Sequence, residues 1–236
     1  MECLYTPDLT LTTKTINLSQ DEIRHAKALR LEIGQRILLT SGKGLMAKAE
    51  LVDTDTYPLR VLEIRENIHE LPIRLGIAFS VLSSKERMEF AIEKLTELGI
   101  TDFHFVDAAH SQIHTIDEER LLNKAIAAIK QSKRPILPII HSISSANDIE
   151  NIANDYSAIV LADVHGNTSF PKQLLLENIP NGVLICIGPE GGYSDHEVSM
   201  IKSFPHCISI SLANRRLRAE TAAMALASIC QFHWLE

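Results

Sequence analysis

Two patterns of apolar and polar residues divide the chain into an N-terminal and a C-terminal part. In residues 1–70, short apolar runs alternate with turns, and Ser19 and Glu22 form the S-x-x-E pattern that caps a helix, here followed by IRHAKALRL. The SGKG turn at residues 41–44 separates two strand-like runs and predicts a hairpin. We therefore expect residues 1–70 to form a small β-barrel.

From Ile73 onward, strand-like and helical segments alternate. IRLGIAFSVL is typical of a buried strand, and KERMEFAIEKLTEL is an amphipathic helix that should end at Gly99. The later runs SAIVLAD, GVLICIG and CISISL are short, apolar and rich in β-branched residues. Such alternation predicts an α/β fold with a mostly parallel sheet and helices on both faces, extending over residues 73–236. The polar segment ENIHELP is the expected linker.

Composition narrows the class of protein. Of the 236 residues, 45% are hydrophobic and 22% are charged, which predicts a packed globular protein. No apolar run approaches the roughly 20 residues of a membrane helix, and the N-terminus lacks the pattern of a signal peptide. We therefore expect a cytoplasmic protein. The four cysteines form no CxxC pair, and His110 and His114 have zinc-ligand spacing without a third ligand nearby. No metal site is predicted.

A glycine-rich segment follows the strand GVLICIG. Gly188 begins the sequence GPEGG, after which Ser194 and Glu197 form a second capping pattern. Ligands of open α/β sheets bind outside the carboxyl ends of the strands, where this loop must lie. Glycines there would let the backbone approach a ligand, although a plain turn is the alternative. The Gly-Lys-Ser/Thr and G-x-G-x-x-G patterns are absent, so neither a phosphate loop nor a dinucleotide fingerprint is indicated.

An arginine-rich segment follows the strand CISISL. Arg215, Arg216 and Arg218 lie within four residues of one another, and Glu220 opens the next helix. They could form an ordinary solvated surface. Because they follow a strand at the expected ligand edge, they could also bind phosphate or base edges in bidentate fashion. Glu220 could be a plain ion-pair partner of Arg218 or could hold that arginine in a working geometry.

Five motifs together resemble those of one family, the 16S ribosomal RNA uracil-N3 methyltransferases of the SPOUT superfamily. They occur in the family's order along nearly the whole chain, although Ala213 stands where the family has glycine. The motifs are H-x-x-x-L-R-x-x-x-G at 25–34, RMEFAIEKLTELG at 87–99, KQS at 130–132 with Arg134 and Pro138 after it, GPEGGYS-x-x-E at 188–197, and L-x-x-R-x-L-R-x-E-T-A at 212–222.

The resemblance implies more than the patterns alone can. It implies a PUA-like RNA-binding β-barrel over residues 1–70, a SPOUT methyltransferase domain with a trefoil knot over residues 73–236, and a homodimer. S-adenosylmethionine would be the methyl donor, and the substrate would be 16S ribosomal RNA in the small ribosomal subunit. The implied donor-binding residues are Leu161, Gly188, Pro189, Glu190, Gly191, Leu212, Ala213, Arg215 and Leu217.

The chemistry of the reaction suggests the catalytic residues. Uracil N3 carries a proton at neutral pH, so a carboxylate of Glu190 or Glu220 could accept that proton. Alternatively, Arg218 could stabilise the uracil anion by its charge, and we favour this role.

The net charge of the chain is −7, so any binding of RNA must depend on local patches of basic residues. Each candidate contact could equally be an ordinary surface residue. An RNA-binding or ribosome-assembly protein that lost donor binding is the alternative function, motivated by Ala213. A phosphoryl-transfer enzyme would need a lysine and a metal-binding aspartate that the glycine segment lacks. The candidate RNA contacts are Arg24, His25, Lys27, Arg30, Lys43, Arg87, Lys133 and Arg134.

Overall fold

The computed structural model describes residues 1–167 and 179–234 and divides the chain into two compact units. Unit 1 comprises Met1–Glu70 and Ala125–Leu137, and unit 2 comprises Leu71–Lys124 and Pro138–Glu236. The segment Ala125–Leu137 therefore groups with unit 1, whereas the sequence pattern placed it in the second domain. The reason is a set of long-range hydrogen bonds within unit 1, among them Leu137 N–H to Gly42 O at 2.9 Å. Local sequence patterns carry no signal for such contacts.

Unit 1 is built on one five-stranded sheet that forms a half-barrel with β1 and β2 as its edges. β1 and β3 are parallel, and the other pairs are antiparallel. The hairpin expected at residues 41–44 joins β3 to β4, so that prediction is confirmed. In sheet order the strands are β1 (Cys3–Tyr5), β3 (Arg36–Thr40), β4 (Leu45–Leu51), β5 (Pro58–Glu66) and β2 (Thr15–Asn17).

Helix α1 of unit 1 spans Gln20–Ala28, and the Ser19 side chain caps it by accepting the Glu22 N–H at 3.3 Å. The capping prediction is thus confirmed. The helix ends earlier than the segment IRHAKALRL suggested, because Arg30 has a φ of +54°, in the left-handed region. Arg24 and Lys27 lie on the helix, whereas Arg30 lies beyond its end. The three side chains therefore do not share one helix face.

Unit 2 contains a seven-stranded sheet whose pairs are all parallel, which confirms the predicted α/β fold. The sheet order is β12-β10-β11-β6-β7-β8, and β9 also pairs with β7. The strands are β6 (Leu75–Ser80), β7 (Asp102–Asp107), β8 (Ile139–Ile140), β9 (Ser144–Ser145), β10 (Ala158–Asn167), β11 (Val183–Ile187) and β12 (Cys207–Ile210).

Among the described helices that follow β6, the sequence pattern predicted α2, α5 and α6 but not α4. α2 ends before Gly99, whose φ of +91° suits the glycine expected at a helix terminus. No helix of the described residues is long and apolar enough to span a membrane. Their bounds are α2 (Lys85–Glu97), α3 (Glu118–Ser132), α4 (Ile149–Asn154), α5 (Asp195–Lys202) and α6 (Ala219–Trp234).

A buried polar cluster lies near the amino ends of the parallel strands. The Arg74 guanidinium donates to both carboxylate oxygens of Asp102, at 2.9 and 2.7 Å, and His104 Nε2 lies 3.0 Å from the Tyr156 hydroxyl. Asp102, His104 and His141 place their potential ligand atoms within 4.8 Å of one another. A cation there is disfavoured, because the Arg74 charge already neutralises Asp102 and occupies both its oxygens.

This cluster should make folding stability depend on pH. Burial, aided by the nearby His141, lowers the pKa of His104 from its usual 6.5 to about 4. The unfolded chain therefore binds a proton below pH 6.5 that the folded chain binds only near pH 4, so stability is lost as the pH falls through this window. Between pH 7 and pH 5 the free energy of unfolding should fall by about 2 kcal/mol from this residue.

Urea denaturation at both pH values tests the effect. His104→Asn should remove that part of the pH dependence, whereas replacing the exposed His196 by asparagine should preserve it. An equal loss of stability between pH 7 and pH 5 in the wild type and in His104→Asn would contradict the assignment.

Candidate active site

Three segments of unit 2 meet at the carboxyl ends of adjacent parallel strands. The glycine loop (residues 188–194) follows β11, the arginine loop (residues 211–218) follows β12, and α2 begins shortly after β6. Because β12, β10, β11 and β6 are neighbours in that order, the segments share one edge of the sheet. The edge is the one at which the sequence analysis expected a ligand.

Arg87 on α2 connects the glycine loop with the helix that follows the arginine loop. Its guanidinium donates to both carboxylate oxygens of Glu220, with Nε at 2.9 Å, and Nη1 lies 3.3 Å from Glu190 Oε1. The Ser83 hydroxyl donates to the same Glu190 oxygen at 2.9 Å. Arg87 was expected to contact RNA, but its guanidinium is instead engaged by two carboxylates of the site.

The two loops also contact each other directly. The Arg216 guanidinium donates to the backbone carbonyl oxygen of Glu190. The arginine-rich bend and the glycine-rich bend, which are separated by about two dozen residues in sequence, are therefore neighbours in the fold. This juxtaposition was the main geometric expectation from the sequence, and the structure confirms it.

The glycines of the loop are required by the loop itself. A Cβ atom at Gly188 would lie 2.9 Å from the backbone nitrogen of Tyr193, and one at Gly191 would lie 2.8 Å from the Cβ atom of His110. Gly192 has a φ of +80°, which favours glycine. Of the two interpretations of these glycines, the approach of a ligand and a plain turn, close packing within the fold favours the second.

Both candidate proton-accepting carboxylates are weak bases in this environment. The hydrogen bonds from Arg87 hold the pKa of Glu220 below its usual range. Burial would raise the pKa of Glu190, but hydrogen bonds from its own backbone amide and from Ser83, with the charge of Arg87, outweigh it and lower the pKa. A carboxylate with a lowered pKa is a poor acceptor for the proton of uracil N3.

Arg218 differs from these paired groups. Its side chain is exposed and makes no hydrogen bond or ion pair with any residue of 1–167 or 179–234. The guanidinium lies two residues before the ion-paired Glu220, at the start of α6. It is therefore available to bind an anion, and its role as stabiliser of the uracil anion stays a prediction.

The arginine loop has backbone groups that could hold a ligand. Leu212, Ala213 and Leu217 are half-buried, and their N–H and C=O groups have no hydrogen-bond partner within the described part of the chain. These backbone groups are therefore available to a polar ligand. Arg215 is exposed on the same loop. Leu161, by contrast, is fully buried in the core of unit 2, so its side chain is not available to a ligand.

The candidate RNA contacts of unit 1 fall into two groups. Arg134 is buried and donates to both carboxylate oxygens of Glu70 at 2.9 and 2.8 Å, so this expected RNA contact is a structural ion pair. His25 Nδ1 lies 2.7 Å from Lys130 Nζ, which also donates to the buried Glu22. The other candidates have exposed side chains, namely Arg24, Lys27, Arg30, Lys43 and Lys133.

His110, whose spacing from His114 suggested a metal ligand, packs on the glycine loop. Its Nδ1 atom lies 3.0 Å from the carbonyl oxygen of Gly192, and its Cβ is close to Gly191. The preceding residue, Ala109, donates its N–H to Glu197 at 2.8 Å. Because these contacts join segments about eighty residues apart in sequence, no local pattern could have indicated them.

Comparison with known proteins adds to this geometry. A family model described as "RNA methyltransferase domain" matches residues 69–231. The ribosomal RNA small subunit methyltransferase E of Bacillus subtilis is 31% identical over 231 residues, covering 91% of this chain and 89% of that protein. The chain belongs to this family of RNA methyltransferases. The resemblance inferred from the five motifs is therefore confirmed.

Solved structures of similar proteins agree with the family in fold. A ribosomal RNA small subunit methyltransferase E from Neisseria gonorrhoeae, bound to S-adenosylmethionine, has a TM-score of 0.86 at 22% identity and covers 99% of this chain and 98% of its own. A structure from Legionella pneumophila with bound S-adenosylmethionine has a TM-score of 0.81 at 25% identity and covers 98% and 96%. The methyltransferase E family thus shares both the half-barrel and the parallel sheet described above.

Proposed function

We propose that this chain transfers a methyl group from S-adenosylmethionine to N3 of a uridine in 16S ribosomal RNA of the small ribosomal subunit. Membership of the methyltransferase E family supports the substrate class, and similar structures with bound S-adenosylmethionine support the donor. The observation that carries the proposal is the contact of Arg216 on the arginine loop with the glycine loop, together with Arg87, which joins the glycine loop to α6. This contact forms one site from two segments that would otherwise be separate.

In this proposal the donor is held by the backbone of the two loops. The unpaired groups of Leu212, Ala213 and Leu217 would bind the adenosine, and Gly188, Pro189, Glu190 and Gly191 would line the other side. When bound, S-adenosylmethionine supplies an electrophilic methyl group on a sulfonium. Ala213 would place a methyl side chain where the adenosine approaches the backbone, whereas a glycine at this position would leave the backbone open.

Arg218 would bind the uracil anion. Deprotonated N3 shares its negative charge with the flanking carbonyl oxygens, and the guanidinium would donate to one of them while N3 stays open to the methyl group. A fixed positive charge at this point favours ionisation of the base and so raises the concentration of the nucleophile. Arg87 would act indirectly, by keeping Glu190 and Glu220 ionised and by joining the glycine loop to α6.

Exposed basic side chains of unit 1 would contact RNA phosphates. Arg24, Lys27, Lys43 and Lys133 are exposed, although Arg24 is ion-paired with Asp21 and Lys43 donates to the carbonyl oxygen of Pro7 at 3.0 Å. Affinity for the ribosomal subunit should then fall as salt concentration rises. The family resemblance further suggests a PUA-like character for unit 1, a trefoil knot in unit 2, a homodimer and a cytoplasmic site of action.

Mapping of modified nucleosides tests the proposal directly. Small subunits from a strain that lacks this gene, incubated with the purified protein and isotopically labelled donor, should gain one labelled N3-methyluridine in 16S ribosomal RNA. Mass spectrometry of nuclease fragments locates that nucleotide. If no label is incorporated and calorimetry detects no heat with millimolar donor, the chain is instead an RNA-binding or ribosome-assembly protein without catalysis.

A further inference from the structure

Methylation at N3 requires a proton acceptor, and the two carboxylates of the site are poorly suited to that role. Glu220 accepts two hydrogen bonds from Arg87, and Glu190 accepts from both Arg87 and Ser83. Their pKa values are lowered by these contacts, as described above. Protonating either carboxylate would also weaken the ion pairs by which Arg87 joins the glycine loop to α6. The acceptor is therefore expected among the other groups at this edge of the sheet.

His110 has the geometry of a base held in one tautomer. A carbonyl oxygen can only accept a hydrogen bond, so the 3.0 Å contact with Gly192 O requires a proton on Nδ1 of His110. In the neutral ring the other nitrogen, Nε2, then carries a lone pair and no proton. The residue is exposed, and Nε2 makes no hydrogen bond with any residue that the structure describes. A histidine oriented by a hydrogen bond at one nitrogen and open at the other is the usual form of a general base.

The location of His110 also fits this role. Its Cβ packs against Gly191, and the adjacent Glu190 contacts both Arg87 and Arg216. The imidazole thus borders the loop that lies between α2 and the arginine loop. A base bound by Arg218 and aligned with the donor would be approached by His110 from the side of the glycine loop.

We propose that His110 is the general base that removes the N3 proton of the target uracil. This inference rests on the proposed function. It adds a role for His110, which has none in that proposal. Nε2 takes the proton from N3, and the freed electron pair of N3 forms the new bond to the methyl carbon. The carbon–sulfur bond breaks with its electron pair going to sulfur, leaving a neutral thioether. The imidazolium afterwards releases its proton to water.

Other ionisable groups near His110 have partners of their own. Glu197 accepts the N–H of Ala109 and caps α5, and Asp107 is 2.8 Å from His114 Nδ1. The Glu190 carboxylate is engaged by Arg87. The Nε2 atom of His110 is therefore not committed to a neighbouring acid.

Replacing His110 by asparagine tests the roles of the two ring nitrogens separately. The asparagine amide nitrogen can take the place of Nδ1 and keep the hydrogen bond to Gly192, but it offers nothing in place of Nε2. Single-turnover methylation of small subunits should slow by about 10²- to 10³-fold at pH 7, as expected when a general base is lost. In the pH–rate profile, the acid limb is the part at low pH where the rate of the wild type falls. In His110→Asn it should be replaced by a steady rise of the rate with hydroxide concentration. Donor affinity, measured by calorimetry, should remain unchanged.

His114→Asn is the matched control, because His114 lies in the same loop and is paired with Asp107 away from the glycines. It should keep both the rate and the acid limb of the wild type. If His110→Asn reacts within threefold of the wild type, or keeps the same acid limb, the assignment is wrong.

A second variant distinguishes loss of the base from a purely structural effect of the substitution. In His110→Ala, added imidazole should restore the rate by at least about tenfold, because a free base can enter the space left by the side chain. If His110→Asn also lost donor affinity, the rescue experiment would decide whether His110 is the base. A failure of imidazole to restore the rate would then overturn the proposal. Absence of N3-methyluridine with the wild-type protein would overturn the proposed function and, with it, the base. Normal activity in His110→Asn would overturn only the base.

Discussion

Arg218→Ala is expected to reduce the rate of methyl transfer by about 10²- to 10³-fold, the usual cost of removing a group that stabilises developing negative charge. The guanidinium is exposed and has no partner within the described residues, so its loss should leave the fold intact. The measurement is the single-turnover rate on small subunits at saturating donor. Calorimetric donor affinity and the thermal unfolding midpoint should both match those of the wild type.

Two further variants sharpen the test of Arg218. Arg218→Lys keeps the charge but loses the planar pair of donors, so it should have an intermediate rate. Arg36→Ala removes another exposed arginine, at the start of β3 in unit 1, and should leave the rate unchanged. Wild-type activity in Arg218→Ala would show that the uracil anion is stabilised by another group.

Arg87→Met is expected to affect stability and activity together. It removes the cation that lies between Glu190 and Glu220, and Glu220 is buried. Leaving a buried carboxylate unpaired costs about 3–5 kcal/mol in fully buried cases. Since Arg87 is partly exposed, we expect the free energy of unfolding to fall by about 2 kcal/mol. Donor affinity should fall by about tenfold or more, because the glycine loop loses its link to α6.

A double-mutant cycle separates the ion pair from other effects of this substitution. Glu220→Gln removes the carboxylate charge, so adding Arg87→Met to it should cost clearly less than Arg87→Met alone. Arg120→Met is the matched control. The exposed Arg120 pairs with Glu89, which keeps Lys124 as a second cation, so the substitution should cost about 0.5 kcal/mol or less. Additive costs in the cycle, with unchanged donor affinity, would mean that Arg87 does not organise the loops.

The sequence was most informative where the signal is local. Strands β6, β10, β11 and β12 were predicted from their apolar runs, because strands of a parallel sheet are buried on both faces. Both capping patterns are present as hydrogen bonds at Ser19 and Ser194. The positions of the two loops followed from the rule that ligands bind at the carboxyl ends of strands.

Pairings between distant segments could not be predicted in this way. Arg87 and Arg134 were both assigned to RNA, and each proved to be bound to glutamate, with Glu220 and Glu70 far away in sequence. A charged residue has the same local pattern whether it faces solvent or a distant carboxylate. The role of His110 at Gly192 was missed for the same reason. The short helix α4 was missed because its six residues offer less than two turns of periodicity.

The discontinuity of unit 1 has a consequence for how the protein is made. Glu22 and Glu70 are buried carboxylates whose cations, Lys130 and Arg134, belong to the segment Ala125–Leu137. A nascent chain that has just completed residue 70 holds every strand of the half-barrel but neither of these cations. The N-terminal unit can therefore be completed only after translation has passed residue 137, by which time β6 and β7 of the second unit have already been synthesised.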